Sequence, residues 1–509
     1  MAGNRYTSPS QPANDAALNG GLNSTSGPLG LQNNESSDLQ NIDFNKFGSI
    51  LKRNGYTQLN TTAITNDPAS DGLHWFEYVV SGTNTRKAVK VADGKLFKMD
   101  DLDGTWDDIT GGLTITAGNH CDFTNFLNTV HITNGADVPF SWDGTTASTL
   151  TVPTGLTTAK YNAEFNNYLI ISNVVVSGTS LKDRFYWYDI KSNSSISNTS
   201  FIEVAKDDGQ ENTGLIVLKD RMVFFKERSI YNVFFTGDPD IPFFVEKSNS
   251  AVGCNSPFSI QEVDNGVVFH SYDGFYYYDG NNSFKLSDRI TTTLNQMNEV
   301  RFDDMRSLTQ KQKNRYWASA SSGSLVQDDT IFVWDWFNNA WSVYKGLAPS
   351  AMATFFVNGT EERPYFDDYD GFTYQADNGS NDNPLGVQTA ISAYYYTNWR
   401  PYADLVNQKG TNNVQIYHQN SNAVLTFAWS FNFEDGDQYS NTFSLATSGD
   451  VYGSAIYDSS VYAGIGGDVQ RRDLTGRGRV HRMKFENNNL GETFQIDGIG
   501  TDVHLETNV

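Results

Sequence analysis

Phe140-Ser141-Trp142-Asp143-Gly144 decides how the chain is read: a short aromatic strand running into an Asp-Gly turn. The pattern returns at Phe275-Tyr276-Tyr277-Tyr278-Asp279-Gly280 and at Phe332-Val333-Trp334-Asp335-Trp336, which precedes Asn338-Asn339. A later copy is Tyr369-Asp370-Gly371-Phe372-Thr373-Tyr374, and weaker ones sit at Trp106, at Phe185-Tyr186-Trp187-Tyr188 and at Ile230-Tyr231-Asn232-Val233. Neighbouring anchors lie about 45 residues apart on average, the length of one four-stranded propeller blade. An apolar strand precedes each aromatic one, as Val130-His131-Ile132 does before Trp142 and Met222-Val223-Phe224-Phe225 before Tyr231. The first unit reads as three segments, residues 75–80, 87–91 and 95–99, leading to Trp106.

The expectation is an all-β chain with about seven blades across residues 41–380. A closed ring leaves no long bare sheet edge, and the strand following Phe44 is placed to lock it by pairing with the last blade. Residues 1–40, rich in Asn, Ser and Gly, read as an extended N-terminal arm that orders only when a partner holds it. Past the turn-rich Asp382-Asn383-Pro384-Leu385-Gly386 the repeat stops. Residues 381–509 then read as a C-terminal antiparallel β-sandwich-like domain, with strands at 414–417, 424–429, 480–485 and 493–496. Helical periodicity is almost confined to residues 291–298.

Aromatics make up 14% of the 509 residues and Gly, Asn, Ser, Thr and Asp are frequent, a mixture suited to short strands and tight turns. The net charge of −23 argues against sequence-independent wrapping of nucleic acid, which needs cations to displace counterions from phosphates. That charge serves solubility, or it lines a channel that repels a passing polyanion. The only two cysteines, Cys121 and Cys254, make neither a disulfide framework nor a four-ligand zinc site and read as buried thiols of a reducing compartment. The N-terminus lacks the apolar stretch of a signal peptide, and no segment approaches the ~20 apolar residues of a membrane span.

Catalytic patterns are missing. The seven histidines form no HxH or HExxH spacing, and neither a G-x-S-x-G elbow nor a phosphate-cradling glycine loop occurs. Asp101-Leu102-Asp103-Gly104-Thr105-Trp106 approaches the Asp-box of sialidase-type propellers but lacks its Ser and one spacer, and reads as an ordinary hairpin. The acidic loops at Asp101/Asp103, Asp367/Asp368/Asp370 and Asp435/Asp437 offer carboxylates of the kind Ca²⁺ takes, yet they read first as turns that use Asp for local backbone bonds. The reading is therefore no enzyme, with no catalytic, cofactor or metal residue. One basic tract, residues 471–482, stands out; Arg477, Arg479 and Arg482 are its interface candidates, where guanidinium forks meet carboxylates of a neighbour.

Gly20-Gly21-Leu22-Asn23, Pro28-Leu29, Asn34-Glu35-Ser36, residues 38–44 and residues 48–56 (Gly-Ser-Ile-Leu-Lys-Arg-Asn-Gly-Tyr) together resemble the opening of tailed-bacteriophage tail-hub or nozzle proteins. That β-propeller family includes the packaged-DNA stabilisation proteins of short-tailed phages. Asn33 stands where an acidic residue is common, and Ile50 where Leu is usual. Residues 311–317 with Trp334-Asp335 and residues 341–344, then residues 476–479 and 491–496, are similar to the family's late propeller strands and C-terminal β-domain. The resemblance implies a virion structural protein assembled in the host cytoplasm. It also implies a homo-oligomeric ring, hexameric in preference to dodecameric, that joins portal and adaptor proteins to distal tail parts around the DNA exit channel. Genomic DNA would pass without specific binding. The alternative is a glycan- or receptor-binding propeller of a phage tail or cell surface, its exposed aromatics stacking on sugars; a propeller-borne glycoside hydrolase or lyase is disfavoured by the missing motifs.

Overall fold

The computed structural model describes residues 11–189, 196–402, 404–446 and 467–506. It is all-β, with short 3₁₀ turns and one α-turn, Thr291–Leu294, as its helical content among the described residues. Seven four-stranded antiparallel sheets follow one another along the chain. Sheet I is Ser70–Val80, Thr83–Ala92, Lys95–Asp100 and Asp107–Asp108; sheet II is Asp122–Phe126, Thr129–Thr133, Phe140–Trp142 and Ala147–Thr149. Sheet III is Leu156–Phe165, Tyr168–Val176, Thr179–Asp189 and Phe201–Glu203; sheet IV is Asn212–Leu218, Arg221–Lys226, Ile230–Phe235 and Phe243–Lys247. Sheet V is Ser256–Val263, Gly266–Ser271, Gly274–Tyr278 and Ser283–Lys285; sheet VI is Ser307–Gln310, Arg315–Ala320, Thr330–Asp335 and Ala340–Lys345. Sheet VII takes Ala351–Val357, Glu361–Asp367 and Thr373–Ala376, and its fourth strand is Tyr56–Gln58 from the start of the chain.

The first strands of successive sheets touch in order, and that of sheet VII returns to that of sheet I, which makes the arrangement propeller-like. The ring is held where sheets meet. Between I and II, Phe76, Val91, Val130 and Trp142 are buried in one cluster; between VII and I, Trp75 stacks on Phe355 with ring centres 4.8 Å apart. Each such ring buried is worth about 1.5–3 kcal/mol. Closure rests on Tyr374↔Gln58, Gln375↔Thr57 and Ala376↔Tyr56. Tyr56 also sets its ring edge-on to Phe366 and Tyr374 at 5.2 and 5.1 Å. The strand after Phe44 thus splits its work, Ile50–Lys52 joining other sheets before Tyr56–Gln58 closes the ring.

The aromatic anchors from sheet II onward occupy third strands, and the Asp that follows shapes the next turn. Asp143 Oδ1 accepts the N–H groups of Thr145 and Thr146 at 2.8 and 2.7 Å; Asp279 Oδ1 accepts those of Asn281 and Asn282 at 2.8 and 2.7 Å. Trp106 departs from this pattern. It lies in the loop after the third strand of sheet I, where its indole covers the Lys90 ammonium at 4.4 Å.

Two larger sheets complete the molecule. One pairs Gly467–Asp473, Gln408–Gln419, Gln495–Glu506, Ile50–Lys52 and Ile42–Phe44, with Gln11–Asp15 and Arg477–Gly478 attached. The other orders Gly21–Leu22, Glu35–Gln40, Ala393–Thr397, His481–Asn487, Val424–Phe431 and Tyr439–Ser444. The strand His481–Asn487 alternates buried and half-buried residues along its whole length, as a strand with one core face should. Residues 11–40 are therefore strands and connections of these sheets and not a free extended arm; residues 1–10 lie outside the described residues. The physical reason is apolar: Leu18, Leu22 and Leu39 are sparse in the sequence, yet all three are buried in the core that also holds Val414, Phe427, Phe485 and Ile496. The partner that orders this segment is the chain's own C-terminal half. The same core continues into sheets V and VI through Phe275, Phe332 and Trp341.

Candidate functional site

Two places concentrate polar chemistry: the axis of the ring and the junction between sheet VI and the two large sheets. Along the axis, first strands from all seven sheets line a cavity of about 730 Å³. A Cβ on Gly72 would lie 2.5 Å from the Phe123 ring, which stacks on His74 at 5.3 Å, and a Cβ on Gly214 would lie 2.4 Å from Ile260 Cδ1. The lining residues include four carboxylates, Asp71, Glu77, Asp122 and Glu164, and one guanidinium, that of Arg306. Burial pushes Asp71 up to about 7, against the N–H of Gly118, and pushes Asp122 up to about 7, against the N–H groups of Asn162 and Phe123. Arg306 donates to the Ser350 carbonyl at 2.9 Å, lies 5.1 Å over Phe258 and meets His120, whose Nε2 is 2.8 Å from Asp304. Burial and then the Arg306 charge hold His120 below its ordinary value. A cavity this size is in the range that takes a small ligand, about 300–1,000 Å³.

The junction is built from the segments quoted above for their family resemblance. Gly21, at φ +77°, lets the backbone approach sheet VI: a Cβ there would lie 2.6 Å from Trp341 N. Glu35 is buried, accepting from Asn23 Nδ2 at 3.0 Å and the Gln32 N–H at 2.9 Å, with Arg289 Nε at 3.3 Å. Asn41 donates its N–H to the Val343 carbonyl at 2.8 Å. Asp43 meets Arg315 at 3.0 Å and takes the Tyr344 hydroxyl proton bond. Arg53 donates to both Asp382 oxygens at 2.8 and 2.7 Å, to Asn41 Oδ1 at 2.8 Å, and to the Lys345 and Asn54 carbonyls at 2.9 Å. A Cβ on Gly55 would lie 1.8 Å from the Asn381 carbonyl oxygen.

The three arginine candidates separate. Arg482, half-buried in His481–Asn487, lies over Tyr396 and Trp399 at 4.4 and 4.6 Å and is committed to its own sheet. Arg477 and Arg479 are exposed; Arg479 Nε donates to the Val406 carbonyl at 3.1 Å. The acidic loops are tied into local bonds. Asp103 accepts the Thr105 N–H at 2.9 Å, and Asp368 accepts those of Asp370 and Phe372 at 2.9 and 2.8 Å. Asp367 is buried against Lys90, and Asp437 faces Lys484 at 3.3 Å. Among the described residues no group of three or more His, Cys, Asp or Glu side chains is arranged to hold a metal ion. Ser256 Oγ lies 2.8 Å from His270 Nδ1, but both are buried, Phe275 and Phe302 flank the imidazole, and desolvation lowers it to about 3. No helix among the described residues is long and apolar enough to cross a membrane.

No protein-family model and no curated protein matches the sequence. Among solved structures, a chain of the mitotic checkpoint complex aligns over 63% of this chain and 96% of its own at 8% identity, with a TM-score of 0.38. PorZ, a surface component of the type-IX secretion system of Porphyromonas gingivalis, aligns over 70% of this chain and 44% of its own at 12% identity and TM-score 0.38. YCF48 bound to D1 peptide aligns over 62% and 97% at 9% identity and TM-score 0.34. At this level of likeness none of them bears on function.

Proposed function

We propose that this chain is a structural protein of a bacteriophage tail, of the hub or nozzle kind. In this reading it assembles as a homo-oligomeric ring below the portal, joins head-completion proteins to distal tail parts, and surrounds the DNA exit channel without catalysing a reaction. The seven four-stranded sheets are then the blades of one propeller, and the two large sheets form a sandwich fused to its side. One observation carries the reading. The residues that resemble the family, from Gly21 through Glu35, Asn41 and Asp43 to Arg53, converge on a single junction where each has a buried structural task. Buried tasks of this kind suit a chain whose work is the rigid joining of two bodies better than one built around a site of chemistry. The exposed Tyr272, Phe244 and Phe284 on sheets IV and V favour the second reading, a glycan-binding propeller, because aromatic faces are what sugars stack on.

Mass photometry and negative-stain microscopy of the purified protein, alone and with portal particles, test the proposal. Rings or portal-bound particles are expected. A monomer at every concentration that leaves portals bare overturns it, and a hit on a glycan array under those conditions moves the assignment to the second reading.

A further inference from the structure

Lys52, the last residue of Ile50–Lys52, carries its charge-bearing end into the protein interior with 3% of the residue exposed. Its Nζ lies 2.7 Å from Oδ1 of Asn487, itself 1% exposed at the end of His481–Asn487, and 3.4 Å from the Asn489 carbonyl. The amide nitrogen of Asn487 donates to Glu492 Oε2 at 2.6 Å and to the Val424 carbonyl at 3.0 Å. Glu492 Oε2 is fixed in turn by the Val424 N–H at 2.8 Å and Asn489 Nδ2 at 3.0 Å. A buried amine thus abuts a side-chain amide whose leaving nitrogen already rests on a carboxylate.

We propose that Lys52 and Asn487 join in an intramolecular isopeptide bond, promoted by Glu492, that staples the two large sheets together. The free amine of Lys52 adds its lone pair to Cγ of Asn487, forming the new C–N bond while the carbonyl π pair moves to Oδ1. Glu492, which rests on Nδ2 at 2.6 Å, reaches the lysine nitrogen only once that nitrogen is bonded to Cγ beside Nδ2; there it takes one of its protons and passes it to Nδ2. The carbonyl re-forms, the Cγ–Nδ2 bond breaks, and Nδ2 leaves as ammonia. One amine and one primary amide become one secondary amide and one ammonia, with no oxidant or metal needed. Proton transfer by a placed carboxylate is worth about 10²–10⁴-fold, and the amine has only to shift from the amide oxygen to the carbon beside it. Supply of free amine is favoured too: burial lowers Lys52 to about 8, helped by Arg53 and opposed by Glu492 and Asp382. The bond would close a loop between residues 52 and 487, which are 435 positions apart.

Intact and peptide-level mass spectrometry of the full-length protein, held folded above pH 8, is the test. The expected product is lighter than the sequence mass by one ammonia and yields a branched peptide linking Lys52 to Asn487. The rate should rise with pH up to about 8, vanish in Lys52→Arg, and fall about 10²-fold or more in Glu492→Gln, which keeps an oxygen for the Val424 N–H. Wild-type protein that keeps its full mass over days overturns the proposal and needs no variant to do so. Ammonia loss confined to succinimide at Asn-Gly positions such as Asn54-Gly55 overturns it equally, and an unchanged rate in Glu492→Gln removes Glu492 from it.

Discussion

Replacing Arg53 with Met tests whether the junction is a stabilising ion pair or a device for joining two bodies. Every donor of this guanidinium is used, and both partners are buried, with side-chain exposures of 2% for Arg53 and 7% for Asp382. Burial holds the Asp382 carboxyl above its ordinary value even though Arg53 pulls it down, so desolvation outweighs the attraction. Arg53→Met leaves that carboxylate uncompensated, along with the Lys345 carbonyl, and breaking such a pair from one side costs about 3–5 kcal/mol. The double variant Arg53→Met/Asp382→Leu removes the orphan charge as well and is expected to recover most of that loss, as apolar replacements of buried pairs commonly do. Because Arg53 stands three residues before Tyr56–Gln58, hydrogen exchange across that strand and Thr373–Ala376 should speed up markedly in the single variant and far less in the double. Urea unfolding of the three proteins supplies the free energies. A single variant costing under about 1 kcal/mol, or a double variant no better than the single, refutes the reasoning.

Gly21→Ala forces a Cβ against Trp341 N at a φ of +77° and should loosen residues 11–40 from sheet VI, read as faster proteolysis of the N-terminal segment with the rest of the ring intact. Asp71 and Asp122 are raised from 3.8 to about 7, so the folded chain holds protons that the unfolded chain releases; their contribution is complete below about pH 4 and lost as pH climbs through 7. Asp71→Asn should therefore gain stability relative to wild type as pH rises from about 4 to 7 and no further above it, and a difference that stays flat between pH 4 and 7 counts against it. Arg477→Gln with Arg479→Gln should weaken assembly in a salt-dependent way, whereas adding Arg482→Gln should destabilise the monomer further, because Arg482 packs on Tyr396 and Trp399.

The strands are legible where a repeat carries two signals at once, an apolar or aromatic run and an Asp that shapes the turn after it, as at Asp143, Asp279 and Asp335. Trp142, Tyr277 and Trp334 all stand in third strands. Trp106 misleads because it faces Lys90 from a loop, a contact that needs the fold and not the spacing. In sequence the N-terminal segment reads as an arm because Leu18, Leu22 and Leu39 lie among Gly, Asn and Ser with no period of their own; their burial depends on strands far downstream, as in the pairing of Leu39 with Tyr395. The arginine cluster shows the same limit. Sequence groups Arg477, Arg479 and Arg482 as one basic patch, and strand alternation turns Arg482 onto its own aromatics. Lys52, Asn487 and Glu492 carry no local signal at all, since the fold alone brings them together.

Where the acidity goes bears on the tail reading. Many carboxylates of this chain are turn formers: Asp103, Asp143, Asp279, Asp335 and Asp368 each accept backbone N–H bonds from residues a few places on. Others, such as Asp43, Asp367 and Asp382, are buried against a cation. The turn formers owe their places to the bonds they accept, which an amide oxygen accepts as well, so their presence is explained without any role for their charge in a bore. The exposed carboxylates without such a task are the ones to neutralise once an assembled ring shows which of them face the axis. If DNA repulsion is their role, converting them to amides should slow DNA release from particles, and raising salt should slow release by the wild type toward the same rate. If release is unchanged by either, the −23 charge serves solubility and turn geometry, and the tail role rests on the joining of two bodies at Arg53 alone.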